Sequence, residues 1–378
     1  MDVPADFGFT EEHEVLRDSA RRFLNERCPI EAVRRLSKDP VGHDPALWKD
    51  IANLGWTGLI VPEEYGGAGL GMFHEALLLE ETGRRALPSP LLATTFAAIA
   101  VMRAGSPAQR ENLLPAIASG DAIGTLALTE PRASWEPADI DATATRDGDR
   151  FVLQGEKTHV LAAASADWIV APFRIDGTLS LFVVDTGAAG LTIRDEVGID
   201  PTRRTGRVRF DGVRVDASAR LAVHGDGVLA EIHHRATCLL AAEMVGGAES
   251  ALAMTREYAI DRKQFGKQIG AFQAIKHPLV EIMIGVEHAR SLVYAAAAEF
   301  DQAGADAATD GVLVRMAKAA ISDTFWYATD RGIQFHGGFG FTIDCDMHFY
   351  FKRALWSRAM LGDAPHHRMH LADDLLDD

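Results

Sequence analysis

Apolar residues change their spacing twice along the chain. Over residues 10–120 they recur at every third or fourth position, as in the segments 14–24 and 48–54, and this period predicts amphipathic helices. Over residues 121–224 the apolar residues form short alternating runs separated by turn residues, which is typical of β-strands. Helical spacing returns from Gly227 onward, in long segments that are rich in alanine.

The change of period predicts an α+β chain of three domains. An N-terminal α-helical domain covers 1–120, a middle β domain covers 121–225, and a C-terminal α-helical bundle covers 226–378. The predicted strands of the middle domain lie at 150–155, 168–173, 179–184 and 206–210. The predicted helices of the last domain lie at 235–258, 272–300 and 310–333.

Composition narrows the classes of function. The 378 residues are 47% hydrophobic, which is enough for a large buried core. The 38 basic and 54 acidic residues give a formal net charge of −16 at pH 7. Because this charge repels phosphate backbones and anionic lipid surfaces, nucleic acid is not expected as a partner.

Compartment and metal content follow from a few residue types. Residues 1–10 carry neither a basic flank nor an apolar core, so no signal peptide is predicted, and no uninterrupted apolar run predicts a membrane span. The odd, widely spaced cysteines Cys28, Cys238 and Cys345 argue against a disulfide framework and a zinc site. The adjacent histidine pairs 233–234 and 366–367 should diverge on a helix, so no metal site is predicted. We therefore predict a cytoplasmic protein.

Five motifs follow one another in a fixed order. They occupy the segments 47–67, 126–131, 155–157, 258–273 and 334–341. In their order and separations the chain resembles the acyl-CoA dehydrogenases over nearly its whole length. The resemblance implies a helical N-terminal domain, a middle β-barrel or sandwich and a C-terminal four-helix bundle. It also implies FAD as cofactor, an acyl-CoA thioester as substrate and an electron-transfer flavoprotein as acceptor.

The resemblance assigns FAD contacts in two sets. Leu126, Leu128 and Thr129 resemble the segment that bonds to the flavin ring of the same subunit. A second set resembles residues that reach across a dimer to the partner's FAD: Arg262, Phe265, Gln273, Gln334, Gly337 and Gly338. In that set arginine would supply a donor fork for the pyrophosphate, and the glycines would let the backbone approach the cofactor. The alternative is a surface arginine and a helix stop with a turn.

Asp344 stands three residues after the aromatic residue of the last motif. The resemblance implies a catalytic glutamate there, which would remove the α-proton while a hydride leaves Cβ for the flavin. Aspartate is shorter by one carbon–carbon bond of about 1.5 Å, and misplacement by about 1 Å can cost 100-fold in rate. Some relatives supply the carboxylate from the first long helix of the last domain, but that position falls near Ala236 and Thr237, which offer none.

Two further departures affect the residues expected around the chain's own flavin. Trp135 stands where a small hydroxyl residue is expected. His159, Val160 and Leu161 stand where an aromatic residue, an aliphatic residue and a hydroxyl residue are expected. The set that serves the partner's flavin is intact, whereas the set that serves the chain's own flavin is altered.

Several functions remain open on these residues. The asymmetry favours a subunit of a heterotetrameric acyl-CoA dehydrogenase of the bacterial sterol-catabolism type, in which a homologous partner carries the active site. The alternatives are a complete homotetramer with Asp344 as base, a nitroalkane-oxidase-like flavoprotein, and a non-catalytic structural subunit. In the plainest alternative, Asp344 is a loop carboxylate that caps a helix or meets Arg353.

Overall fold

The computed structural model describes residues 9–304, 309 and 311–376. The expectation about a signal peptide falls on residues 1–10, most of which lie outside that part, as does the predicted helix start at residue 310. The helices are α1 (Glu11–Arg27), α2 (Ile30–Leu36), α3 (Pro45–Asn53), α4 (Met72–Arg84), α5 (Leu91–Ala104), α6 (Pro107–Ala118), α7 (Asp226–Asp261), α8 (Gln273–Ala303), α9 (Val312–Phe335), α10 (Met347–Ala359) and α11 (Ala364–Leu376). The strands are β1 (Gly124–Leu126), β2 (Thr143–Asp147), β3 (Arg150–Leu161), β4 (Trp168–Ile175), β5 (Thr178–Asp185), β6 (Leu191–Glu196), β7 (Thr205–Asp216), β8 (Lys263–Gln264) and β9 (Lys267–Gln268).

The predicted order of helices, strands and helices is confirmed. The four predicted strands correspond to β3, β4, β5 and β7, and the three predicted long helices correspond to α7, α8 and α9. Helix α7 begins nine residues before its prediction, at Asp226 instead of residue 235. The exact domain boundaries at 120 and 225 stay predictions.

Helix α5 differs from the amphipathic prediction, because nearly all of its residues are buried. It packs against β1, α6 and α7 and so lies in the middle of the molecule. A helix that is covered on every side carries apolar residues all round, which removes the periodic signal.

One seven-stranded sheet has the strand order β1-β4-β2-β3-β7-β6, with β5 paired to β4. One side has its own core of phenylalanines, in which the ring of Phe173 meets Phe182 and Phe210 edge to face at 5.7 and 5.0 Å. Leu126 and Leu161 belong instead to the core that the helices share. The candidate site lies at this boundary between sheet and helices.

Among the described helices, α7 alone has the length and apolar composition that a membrane crossing would need. Of its most apolar 18-residue window, 72% is buried inside the protein. Burial of this kind is what the core helix of a folded domain shows. The three cysteines are buried and unpaired, as their spacing predicted.

A buried ion network centred on Arg353 joins the three parts of the chain. The Arg353 guanidinium is paired with Asp200 and donates to Glu243 Oε1 at 3.3 Å, to Thr202 Oγ1 at 2.5 Å and to the carbonyl of Ala86 at 3.3 Å. The alternative in which Asp344 meets Arg353 is therefore wrong: Arg353 points into the core, where its donors are already used.

Burial of Glu75 on α4 gives the fold a pH dependence. The carboxyl accepts one hydrogen bond, from the Thr95 hydroxyl at 3.1 Å, and burial raises its pKa to about 8. An unfolded glutamate has a pKa of about 4.3, so the folded chain holds this proton where the unfolded chain has lost it. The stability that this proton gives is present below the unfolded pKa and is lost as the pH rises toward 8.

Replacing Glu75 with glutamine should remove this loss, because an amide of the same shape does not ionise. Between pH 5 and pH 8 we expect the free energy of unfolding of the unaltered chain to fall relative to the Glu75→Gln variant, on the order of 3 kcal/mol. Urea unfolding at several pH values measures this difference. The exposed Glu64→Gln variant is the control, and equal slopes for Glu75→Gln and the unaltered chain would contradict the prediction.

Candidate functional site

The three residues predicted to contact the chain's own flavin lie together at a narrow cavity between sheet and helices. Leu126 ends β1, and Leu128 and Thr129 follow it. The cavity has a volume of only about 20 Å³. The other residues that line it are Phe96, Trp135, Thr158, His159, Val160, Leu161, Met360 and Leu361.

The backbone after β1 offers polar groups to this cavity. Ala127 N–H donates to the Val170 carbonyl at 2.8 Å, and the Thr129 carbonyl accepts from Thr158 N–H at 2.8 Å. Within the described part of the chain, the Leu128 N–H and carbonyl and the Thr129 hydroxyl have no hydrogen-bond partner. These donors and acceptors suit the edge of a planar heteroaromatic ring. A ring of three fused cycles needs more room, so Trp135 and the 360–361 segment must move aside to admit it.

A bulge in β3 shapes one wall. The register with β7 shifts between Lys157 and Val160, and His159 takes a left-handed φ of 55°. His159 N–H donates to Glu196 Oε2 at 2.8 Å. Leu161 is buried in the position where the resemblance implies a hydroxyl, but Thr158 brings a hydroxyl residue to the same cavity. Sequence alternation missed Thr158 because a bulge changes which residues face inward.

The opposite wall is the chain just after α10, which no sequence motif indicated. Leu361 is buried with a left-handed φ of 58°, and Gly362 follows with a φ of 94°. The buried Lys318 ammonium holds this turn by donating to the carbonyls of Gly362 at 2.8 Å and Ser357 at 3.0 Å. Burial lowers the pKa of His367 to about 2, so its neutral ring donates from Nε2 to the Leu361 carbonyl at 2.9 Å. The wall is therefore apolar and firmly held.

Asp344 lies apart from this cavity. It is exposed in the loop before α10, and that loop is fixed to α2. Arg34 donates to the backbone carbonyls of Ile343 at 2.8 Å and Asp344 at 3.3 Å and is ion-paired with Asp346. The structure thus holds the Asp344 backbone at the surface, and the residues that line the narrow cavity do not include it.

A second cavity of about 140 Å³ lies next to the narrow one. Leu128 and Trp135 line both cavities, so the Trp135 side chain stands between them. The second cavity is rich in polar side chains: Ser134, Glu136, His233, His234, Arg315, His366, His367 and His370. Among them are both adjacent histidine pairs for which no metal site was predicted.

The six residues predicted to serve a partner's FAD are all exposed: Arg262, Phe265, Gln273, Gln334, Gly337 and Gly338. Tyr258 connects the two motifs, because its ring stacks on His336 at 4.3 Å and lies 6.4 Å from Phe339. The Arg262 side chain makes no hydrogen bond or ion pair with any described residue. We call these six residues the outward-facing set.

Phe265 sits at the tip of the β8–β9 hairpin in an unusual state. Its φ is 53°, a left-handed value that bulky residues rarely adopt, and its ring is 89% exposed. Gly266 follows with a φ of 80° and completes the turn. A strained backbone and an exposed aromatic ring at one position indicate that Phe265 contacts another molecule.

The glycines after α9 fall into two classes. A Cβ on Gly340 would lie 2.2 Å from the Ile333 carbonyl oxygen, so the chain's own packing requires that glycine. Gly337 has a φ of 61°, which favours glycine. Gly338 has neither reason: its φ is not left-handed and a Cβ would meet nothing within 4 Å. A glycine there leaves room for a molecule that approaches from outside the chain.

Exposed apolar side chains lie on the same helices and turns as the outward-facing set, or next to them in sequence. They are Ile260, Val280, Met283, Ile284, Phe339, Phe341 and Ile343. Several exposed apolar side chains of this size are typical of a protein–protein interface. We call these seven residues the exposed apolar face.

Comparison with known proteins agrees with this geometry. Three family models match the chain: the acyl-CoA dehydrogenase N-terminal domain over residues 10–121, the middle domain over 125–213 and the C-terminal domain over 228–376. Acyl-CoA dehydrogenase IpdE2 of Mycolicibacterium smegmatis is 32% identical over 355 residues, which are 93% of this chain and 95% of the relative.

Two solved structures of protein pairs are also similar. The ChsE4-ChsE5 complex from Mycobacterium tuberculosis matches with a TM-score of 0.90 and 27% identity, covering 99% of both chains. A variant of the Tcur3481-Tcur3483 steroid ACAD matches with a TM-score of 0.87 and 31% identity, covering 98% of this chain and 99% of the other.

Proposed function

This chain belongs to the acyl-CoA dehydrogenase family, and from that premise we propose that it is the supporting subunit of a heteromeric, FAD-dependent enzyme. The assembled enzyme would convert an acyl-CoA thioester into its α,β-unsaturated product. The chemistry that FAD would supply is acceptance of the hydride from Cβ. This chain would hold FAD that lies mainly in a homologous partner subunit.

The outward-facing set carries the proposal. Arg262 presents a guanidinium that no residue in the described part of the chain pairs, and a guanidinium suits the diphosphate of FAD because it makes charge-assisted hydrogen bonds. Gly338 leaves backbone open at the same end of the molecule, where this chain has no need of a glycine. Gln334 and Gln273 add amide donors and acceptors. These groups fit a phosphate-bearing cofactor that enters from outside the chain.

The narrow cavity also supports the assignment of this chain as a supporting subunit. The free groups of Leu128 and Thr129 fit a flavin ring, but the cavity of about 20 Å³ holds little more than one water molecule. No carboxylate is among the residues that line it. Ala236 and Thr237 on α7 are buried and offer none, and the Thr237 hydroxyl donates to the His233 carbonyl at 2.7 Å. The base that removes the α-proton would therefore come from the partner.

The exposed apolar face indicates where the partner docks. Its residues lie on the helices and turns that carry the outward-facing set, so a partner docked there would cover these side chains and bring its cofactor to Arg262. Two of the similar structures are of protein pairs, which supports a heteromer. Cytoplasmic location remains an expectation from the sequence, and an electron-transfer flavoprotein as acceptor remains an expectation from the family.

The proposal is tested by flavin content in two preparations. The chain is purified alone, and it is also tagged in its own organism and isolated with whatever homologous chain accompanies it. We expect little absorbance from oxidised flavin in the first preparation and about one FAD per pair in the second. A homotetramer of this chain that holds one FAD per subunit and oxidises an acyl-CoA would overturn the proposal.

Replacing Asp344 with asparagine should leave turnover of the assembled enzyme within about twofold, because the carboxyl is exposed and lies apart from the cavity. Steady-state kinetics with the enzyme's acyl-CoA substrate measures this. The control is Asp346→Asn, which breaks the ion pair with Arg34 and tests whether the loop itself matters. A loss of about 100-fold or more with Asp344→Asn alone would assign the base to Asp344.

A further inference from the structure

Three metal-ligating side chains converge on the second cavity. Glu136 Oε1 lies 2.7 Å from His370 Nε2 and 3.7 Å from His366 Nδ1. One ligand atom from each of the three residues lies within 4.8 Å of the other two. Tetrahedral zinc with bonds of about 2.0–2.1 Å places ligand atoms about 3.4 Å apart, so shifts of about 1 Å complete the geometry.

Helix geometry explains why the two histidines lie side by side. His366 and His370 are four residues apart on α11, and side chains at this spacing lie on the same face of a helix. Their rings are 4.7 Å apart. The prediction that no metal is bound rested on the adjacent pair His366 and His367, whereas the signal lay in the four-residue spacing between His366 and His370.

Glu136 comes from the loop after β1, which is held rigidly. The Ser134 hydroxyl accepts from Glu136 N–H at 3.1 Å and donates to Asp139 at 2.6 Å. Arg174 donates to the carbonyls of Pro137 at 2.7 Å and Ile140 at 2.8 Å. A backbone fixed in this way places the carboxylate before any ligand arrives, which is what a preorganised site requires.

The ligand types and charges of the group also suit a metal ion. Two imidazole nitrogens and a carboxylate oxygen are ligands that zinc takes in proteins. Glu136 supplies one negative charge. Arg315 lines the same cavity, but it is ion-paired with Asp374 at 2.7 Å, which reduces its repulsion of a cation.

His233 also lines the second cavity and is not one of the three candidate ligands. His233 Nε2 is buried and has no hydrogen-bond partner among the described residues. Burial, and then the neighbouring histidines, lower the pKa of His233 to about 3, so the ring stays neutral. A water molecule in the open coordination position of a metal ion would give this nitrogen a partner.

We propose that Glu136, His366 and His370 bind one Zn²⁺ ion, which joins α11 to the loop after β1 and leaves one coordination position open to the second cavity. Two imidazoles and one carboxylate form the ligand set that zinc takes with a water molecule as fourth ligand. The ion fixes the loop that carries Trp135, the residue that separates the two cavities. The proposal does not depend on the chain's role in a heteromer.

The test uses the full chain, stripped of metal by a chelator and titrated with Zn²⁺ against a chromogenic competitor. We expect one tight site per chain, and affinity that is at least about tenfold weaker in His366→Ala, His370→Ala and Glu136→Gln. His224→Ala removes an exposed histidine outside the cavity and is the matched control, which should bind like the unaltered chain.

A thermal melt with and without Zn²⁺ gives an independent measure. The unaltered chain should melt at a higher temperature with Zn²⁺, because a ligand that binds only the folded state stabilises it, and His370→Ala should lose that shift. If a histidine variant does not fold, Glu136→Gln replaces it in both measurements, because glutamine keeps the shape of the side chain and removes its charge. No tight Zn²⁺ site in the unaltered chain, or equal affinity in the three variants, would overturn the proposal.

Discussion

Replacing Arg353 with methionine lowers the expected free energy of unfolding by about 3–5 kcal/mol. The side chain is 1% exposed, and its removal leaves Asp200 as a buried carboxylate without its cationic partner. Glu243 keeps its ion pair with Arg203, so the loss falls mainly on Asp200. Methionine fills similar space but has no donor. Urea unfolding followed by circular dichroism measures the change.

Two other variants make the Arg353 prediction specific. Lys352→Met removes a cation from the neighbouring position of α10, where no ion pair is present among the described residues, and should change stability by less than about 0.5 kcal/mol. Arg353→Lys keeps the positive charge but not the planar guanidinium with its several donors. Its loss in free energy of unfolding should therefore lie between the losses of Arg353→Met and Lys352→Met. A loss of less than about 1 kcal/mol in Arg353→Met would contradict the role that we give this network.

Replacing Arg262 with alanine is expected to weaken FAD retention by the assembled enzyme by about 10- to 150-fold. A hydrogen bond to a charged group contributes about 1.5–3 kcal/mol, which gives this range. The exposed Arg262 side chain makes no hydrogen bond or ion pair with the residues that the structure describes, so the stability of the isolated chain should not change. Flavin release on dilution, followed by fluorescence, measures the effect.

Arg256→Ala is the matched control for Arg262, because Arg256 is an exposed arginine in the last turns of α7, the helix that Arg262 follows. It should leave flavin release unchanged. Equal flavin release from Arg262→Ala and Arg256→Ala would contradict the proposed contact across the interface. Loss of flavin from an isolated chain would instead mean that Arg262 serves a cofactor in its own subunit.

The fold was largely predictable because long segments keep one period. Strands β4 and β5 alternate or run apolar between clear turn residues, and α8 repeats its apolar face over 31 residues. Strand β1 was missed because three residues are too few for a period. The buried ion network was also invisible, because Arg353 and Asp200 are 153 residues apart in sequence.

The site was predictable only in part, for different physical reasons. Short motifs indicated the residues of the outward-facing set, because these residues were assigned by their type and by their spacing in the sequence. Thr158 and Leu361 became visible only through the structure: one depends on a bulge, and the other lies on a turn without any motif. Asp344 was assigned from its distance to an aromatic residue, and such spacing does not say which way a loop faces.

The exposed apolar face has a consequence for how long the protein persists in the cell. Side chains such as Ile284 and Phe341 are 60% and 76% exposed, and surfaces of this kind attract chaperones and proteases when no partner covers them. A copy that finds no partner would therefore be degraded, whereas a paired copy would persist. The amount of this protein in the cell would then follow the synthesis of its partner, and surplus copies would not accumulate.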